Sequence, residues 1–217
     1  MKKVAIILSG SGVFDGSEHY ETVITLLAIR RAGAQYQCFA PDKEQLHVFN
    51  HLTGEVAKGE TRNVLVESAR LARGDIKPVT QCNANDFDAL ILPGGFGAAK
   101  NLCTFAVDGA ASKPDEEVFK VCQDFANAGK PAGYACIAPA LAASVYGNKV
   151  KLTIGNDVAS AQGIEELGAQ HVECAVDEIV VDSDRKLVTT PAYMLAEDIL
   201  EAEAGLNKMV ETVLSMQ

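Results

Sequence analysis

Apolar positions along the chain follow two alternating rhythms. Short runs apolar at consecutive positions suit strands buried on both faces, and longer stretches carry helical spacing. Val4–Leu8 is apolar throughout and predicts a first strand. Ser17–Ala32 has helical spacing with Val23, Ile24, Leu27 and Ala28 on one face, and Gly33 ends it. Tyr36–Ala40 reads as the next strand, stopped by Pro41. Asn63–Arg73 predicts a helix closed by Gly74. Asp88–Leu92 predicts a buried strand running into Pro93-Gly94-Gly95-Phe96-Gly97. Asp115–Ala128 is helical, Pro131–Ala135 a short strand, and Ile137–Val145 helical again. Ile164–Leu167 ends a helix at Gly168, before a strand predicted at His171–Ala175. Glu178–Val181 and Leu187–Thr189 form a hairpin pattern around Asp182-Ser183-Asp184, and Ala196–Leu214 is a C-terminal helix.

This β-then-α order predicts an α/β sandwich with a mostly parallel sheet. Gly33-Ala34-Gln35 and Gly168-Ala169-Gln170 use the same helix-to-strand punctuation twice, without a true repeat. The most loop-like stretches are Lys43–Glu60 and Gly109–Pro114, and neither reads as a domain linker. The 217 residues are therefore read as a single domain, 1–217.

Charge narrows the partners. Lys and Arg number 19 against 29 Asp and Glu, a formal net charge of −10. Such a chain repels phosphate backbones and anionic lipid, so neither nucleic acid nor membrane is an expected partner. Val4–Leu8 is five residues long and meets Ser9-Gly10, whereas a signal h-region needs about 7–15. A cytoplasmic protein is the expectation. Cys38, Cys82, Cys103, Cys122, Cys136 and Cys174 make no C-x-x-C pair, which argues for reduced thiols.

Gly133-Tyr134-Ala135-Cys136-Ile137-Ala138 has the form of a nucleophile elbow, a short strand meeting a helix at a cysteine among small residues. A helix N-terminus there offers partial positive charge and free N–H groups, both favouring thiolate. The Ile137 N–H would face an oxyanion formed on attack. Gly94 and Gly95, after a buried strand, are candidates for the second donor. A buried structural cysteine and a plain tight turn are the alternatives for these two segments.

Gly10, Gly12 and Gly16 imitate a dinucleotide loop, with Asp42 as the ribose acid. Asp15, Glu18 and Glu21 would repel a pyrophosphate at that helix N-terminus, so no cofactor is expected. The better reading is a set of carboxylates at the sheet's C-terminal edge, where open α/β folds place their sites. Glu18 and Glu21 are three apart and share a face, so either could approach Cys136. Asp15-x-x-Glu18 resembles a capping box, which leaves Glu21 the better acid. His171-Val172-Glu173 imitates the His-x-Glu of amidotransferases. His47 and His51, four apart, lack a third ligand at a recognised spacing, so no metal is expected.

Several longer segments carry a family resemblance. They are Ile7-Leu8-Ser9-Gly10 with Gly12 to Glu18, His51-Leu52-Thr53-Gly54-Glu55, Thr61 to Leu65, Pro93 to Asn101, Cys136-Ile137-Ala138-Pro139, and Val188 to Ala192. Through them the chain resembles the ElbB family (enhancing lycopene biosynthesis protein 2, sigma cross-reacting protein). That family lies within the PfpI-type, class I glutamine amidotransferase-like superfamily, which includes the parkinsonism-associated deglycase. The resemblance implies a flavodoxin-like three-layer α/β sandwich, a homodimer, and an association with isoprenoid biosynthesis. It implies an elbow cysteine beside a first-helix glutamate, here Cys136 and Glu21. Glu21-Thr22-Val23-Ile24 and Arg30-Arg31-Ala32-Gly33 match the pattern for that acid. It further implies a cofactor-independent glyoxalase, a lyase of the hydro-lyase type converting glyoxal to glycolate, with deglycase activity proposed beside it. Many superfamily members carry a histidine roughly twenty residues after the cysteine. Thr153-Ile154-Gly155-Asn156-Asp157 has none, which argues against protease or glutaminase chemistry, with His19 as the nearest substitute.

On this reading Cys136 attacks an aldehyde carbon of glyoxal, Ile137 and Gly95 N–H groups meet the oxyanion, and Glu21 shuttles a proton. Protonated Glu21 would hold Cys136 as thiolate. The alternatives are a redox-sensing or chaperone-like regulator using the same thiol, and a glutaminase subunit that needs His171 near Cys136.

Overall fold

The computed structural model describes residues 1–216. In chain order it runs β1 (Lys3–Ile7), α1 (His19–Arg31), β2 (Gln35–Ala40), β3 (Phe49–Asn50), β4 (Glu55–Val56), α2 (Val64–Leu71) and β5 (Ile76–Pro78). Then come β6 (Ala89–Leu92), α3 (Phe96–Lys100), α4 (Phe105–Asp108), α5 (Glu116–Asn127), β7 (Ala132–Ala135) and α6 (Pro139–Tyr146). The chain closes with β8 (Lys151–Leu152), α7 (Val158–Glu166), β9 (Gln170–His171), β10 (Val180–Asp182), β11 (Leu187–Thr190) and α8 (Ile199–Ser215).

Seven strands form one sheet in the order β10-β11-β7-β6-β1-β2-β5. Every neighbouring pair is parallel except β10 with β11, the hairpin its turn residues predict. Val4 to Leu8, Leu90 to Leu92 and Leu187–Val188 are wholly buried, as a sheet covered on both faces requires. Gly133 turns one face of β7 toward Met209 and Val213 of α8, while Tyr134 turns the other toward Tyr146 of α6. Helices thus flank both faces, and the flavodoxin-like α/β expectation holds.

After β1 the chain moves outward through β2 to β5, then returns to β6 on the other side of β1. The reversal leaves a crevice at the C-terminal ends of β1 and β6, the usual place for a site in an open parallel sheet.

Three local expectations are corrected. Val23 and Leu27 of α1 are exposed, at 54% and 43%. Ile24 and Ala28 are buried as expected, together with Glu21, Thr22, Thr25, Leu26 and Ile29, so the inward face carries polar residues and Glu21 reaches the crevice. The strand at His171–Ala175 is only the two residues of β9, paired with β8 outside the main sheet. Lys43–Glu60 contains the small β3–β4 hairpin, whose Phe49 N–H donates to buried Asp15 at 2.7 Å.

Candidate active site

Three loops converge at the crevice. The first follows β1 and leads into α1. Glu18 caps α1, its Oε2 accepting the Glu21 N–H at 2.7 Å. The capping residue is therefore Glu18 itself, with Glu21 three positions on, rather than Asp15 with Glu18. Glu21 is freed from capping and is fully buried.

The second loop follows β6. The Gly94 N–H donates to Glu21 Oε2 at 2.8 Å, and the Tyr193 N–H donates to Oε1 at 3.1 Å. Gly94 is therefore committed to the carboxyl and is not an oxyanion donor, which corrects its expected role. A Cβ on Gly94 would stand 2.7 Å from Glu21 Oε2 and 2.9 Å from Cys136 Sγ, so only glycine lets the two side chains meet. Gly95 has φ +92° and backs onto the Gly16–Glu18 backbone, which any Cβ would strike.

The third loop is the elbow after β7. Cys136 holds φ +59°, a sparsely populated conformation for a residue with a Cβ. Its N–H is fixed to the Thr190 carbonyl of β11 at 2.9 Å. The Gly95 and Ile137 N–H groups lie near enough to Sγ to favour its charged form, and the Glu21 carboxyl stands beside it across Gly94. Cys136, Glu21, Gly95 and Ile137 are thus brought together as expected.

The electrostatics differ from the expectation of a low-pKa thiol. Burial, then the Glu21 charge, push the Cys136 thiol up, against the pull of the Gly95 and Ile137 N–H groups. Burial, then the Glu18 charge, push Glu21 from 4.5 up to about 7, although three hydrogen bonds favour its carboxylate. The short elbow helix does not outweigh desolvation. Near neutral pH the thiol keeps its proton while the carboxyl passes between its neutral and charged forms, and the titration belongs to the pair.

A cavity of about 380 Å³ opens over Sγ, with Glu18, Gly95, Phe96, Ile137, Asp157 and Tyr193 on its walls. Asp157 and Tyr193 escaped the sequence reading. Asp157 reads there only as a missing histidine, and Tyr193 is held by its backbone, which leaves no side-chain signal. His19 is exposed and pairs with Ser11 Oγ at 3.0 Å. His171 accepts the Ile154 N–H at 3.3 Å, away from the cavity walls. His51 lies 3.8 Å from Asp15. Among the described residues no group of three or more His, Cys, Asp or Glu is placed to hold a metal ion.

The family model described as DJ-1/PfpI matches residues 2–202. The chain is 46% identical to human glutamine amidotransferase-like class 1 domain-containing protein 3, mitochondrial, covering 99% of this chain and 83% of that protein. It is 33% identical to the zebrafish ES1 protein, mitochondrial, over 98% of this chain and 85% of the relative. A crystal structure of an isoprenoid biosynthesis protein with an amidotransferase-like domain from Ehrlichia chaffeensis superposes with a TM-score of 0.92. That match has 36% identity and covers 99% and 98% of the two chains. Glyoxalase III of Candida albicans shares the fold at a TM-score of 0.63 and 14% identity, over 99% and 96%. The cytoplasmic expectation is overturned by the mitochondrial relatives. Reduced thiols and an acidic balance do not distinguish those two compartments.

Proposed function

The chain belongs to the DJ-1/PfpI family, and from that premise we propose that it is a cofactor-independent glyoxalase acting on glyoxal through Cys136 and Glu21. The observation that carries this reading is the fully buried Glu21 carboxyl facing Sγ across the bare Cα of Gly94, where burial pushes its pKa up to about 7. A general base works best with a pKa near the working pH.

Glu21 takes the thiol proton as Sγ bonds to one aldehyde carbon of glyoxal, giving a hemithioacetal. The Gly95 and Ile137 N–H groups hold the oxygen that gains charge. Glu21 returns the thiol proton to that oxygen, and the freed carboxylate then moves the proton of the attacked carbon to its neighbour, by way of an enediol. The first carbon is oxidised to a thioester and the second reduced to an alcohol, so no external electrons are needed. Water cleaves the thioester, releasing glycolate and restoring the thiol.

The raised thiol weighs against the redox-sensing alternative, which needs a standing thiolate, whereas the glyoxalase route forms it only as Glu21 takes the proton. The position of His171 weighs against a glutaminase. The narrower ElbB placement is supported by the Ehrlichia relative described as an isoprenoid biosynthesis protein. A homodimer is part of the same proposal. Exposed Tyr20, Val23 and Leu27 form an apolar stripe on α1 available to a second copy.

Turnover in D2O tests the proton route. Glycolate carrying deuterium on its CH2 carbon is expected, because Glu21 exchanges its proton with solvent during the lifetime of the enediol. Glycolate wholly free of carbon-bound deuterium would overturn the Glu21 shuttle.

A further inference from the structure

The cavity over Cys136 is far larger than glyoxal needs. Glyoxal has four heavy atoms, about two to three waters' worth of space at ~30 Å³ each. The cavity holds about 380 Å³. Phe96, Ile137 and Ser160 also line a second hollow of about 300 Å³, so the two hollows adjoin across these three residues. Sites of this combined size hold ligands much larger than glyoxal.

The two halves differ in chemistry. Over Sγ stand Glu18 and Asp157, each capping a helix. The Ser160 hydroxyl, and then its N–H, hold the Asp157 carboxyl below its ordinary range, so it stays ionised near neutral pH. The annex is walled by Phe96, Ala99, Phe105, Ile137, Ala159 and Gly163. A Cβ on Gly163 would lie 3.1 Å from the Phe105 ring, so glycine lets that ring lie against α7 as the annex floor. Phe96 is 47% exposed at the junction, with an aromatic edge free to cover a ligand.

Resting on the glyoxalase reading, we propose that the preferred substrate is an uncharged carbonyl compound carrying an apolar alkyl or aryl substituent. The reactive carbonyl sits at Cys136 and the substituent fills the annex between Phe96 and Phe105. The carboxylates of Glu18 and Asp157 disfavour substrates bearing a carboxylate or phosphate. Burying the apolar group adds binding that glyoxal cannot make.

Ala159 is exposed on α7, so Ala159→Trp fills the annex without entering the core. Ala106→Trp does the same from α4 and guards against local misfolding of α7. The wild-type chain is expected to show kcat/KM for phenylglyoxal at least tenfold above that for glyoxal. Each variant should lower that ratio at least tenfold. An inert probe, 1-phenylethane-1,2-diol, should bind wild type at least tenfold tighter than ethylene glycol and lose that margin in both variants. A diol that binds no better than ethylene glycol, or a ratio that neither variant moves, overturns the proposal. Diol binding lost in both variants, with no dicarbonyl turned over by wild type, upholds the apolar subsite and overturns the glyoxalase reading instead.

Discussion

Glu21 illustrates how one buried carboxyl links stability to chemistry. Both its oxygens accept backbone N–H groups, from Gly94 and Tyr193, so an amide cannot replace it without placing an NH2 against a donor. Glu21→Gln is therefore disruptive despite its size. The native carboxyl titrates at about 7, against 4.5 ordinarily. The folded state keeps a proton that the unfolded chain has released, so this group's contribution falls as pH rises from about 4.5 to about 7. The difference corresponds to about 3 kcal/mol at most. Urea midpoints at pH 5 and pH 8 should fall more for wild type than for Glu21→Ala, and parallel changes would contradict the burial argument. Turnover should have the opposite slope, with kcat/KM rising through about pH 7 as Glu21 becomes a base. At Gly94 a methyl group has no space between Cys136 and Glu21. Gly94→Ala should cost about 2–3 kcal/mol in urea unfolding and most of the activity. A stable, active variant would mean that Cys136 and Glu21 need not meet. Cys136 and Glu21 were legible in the sequence as an elbow and a spare first-helix acid. The raised thiol was not, because desolvation depends on what the fold packs over the site.

At the scale of elements, α8 supports the elbow from below. Leu206, Met209, Val210 and Val213 are fully buried, and Gly133 of β7 lets Met209 and Val213 approach the strand that ends at Cys136. Asp198 caps this helix, accepting the Leu200 and Glu201 N–H groups at 2.8 and 2.9 Å. Asp198→Ala should cost about 1 kcal/mol, read as a lower urea midpoint at unchanged slope. No change would mean that the packed face alone fixes where α8 begins. The uniformly apolar strands β1 and β6 and the Gly-terminated helices were legible because burial on both faces leaves a clear pattern. Edge strand β5, three residues ending in Pro78, carries no such pattern. Of the expected buried face of α1, Ile24 and Ala28 are buried while Val23 and Leu27 face out, because Glu21, Thr22 and Thr25 share the inward face with them.

For the whole molecule, the β-then-α order and the stop glycines carried the fold class, and the strand order explains why the crevice lies beside β1. Its partners left weaker traces. Apolar residues on α1 read in sequence as core, yet Tyr20, Val23 and Leu27 form a surface stripe. Tyr20 packs at a tilt against Tyr193, ring centroids 6.2 Å apart, and the Tyr193 N–H holds Glu21. Light scattering should give twice the chain mass, and Val23→Glu should give the monomer. A monomeric wild type would remove the stripe's proposed role.

The central claim is that Cys136 and Glu21 together convert glyoxal to glycolate. Its most direct test is glycolate formation by wild type, Cys136→Ser and Glu21→Ala, measured as product rather than as loss of glyoxal. Multiple turnovers by wild type, with both variants at least a hundredfold slower, is the predicted result. Glycolate formed at an undiminished rate by Cys136→Ser, or glyoxal trapped by wild type without glycolate, would contradict it.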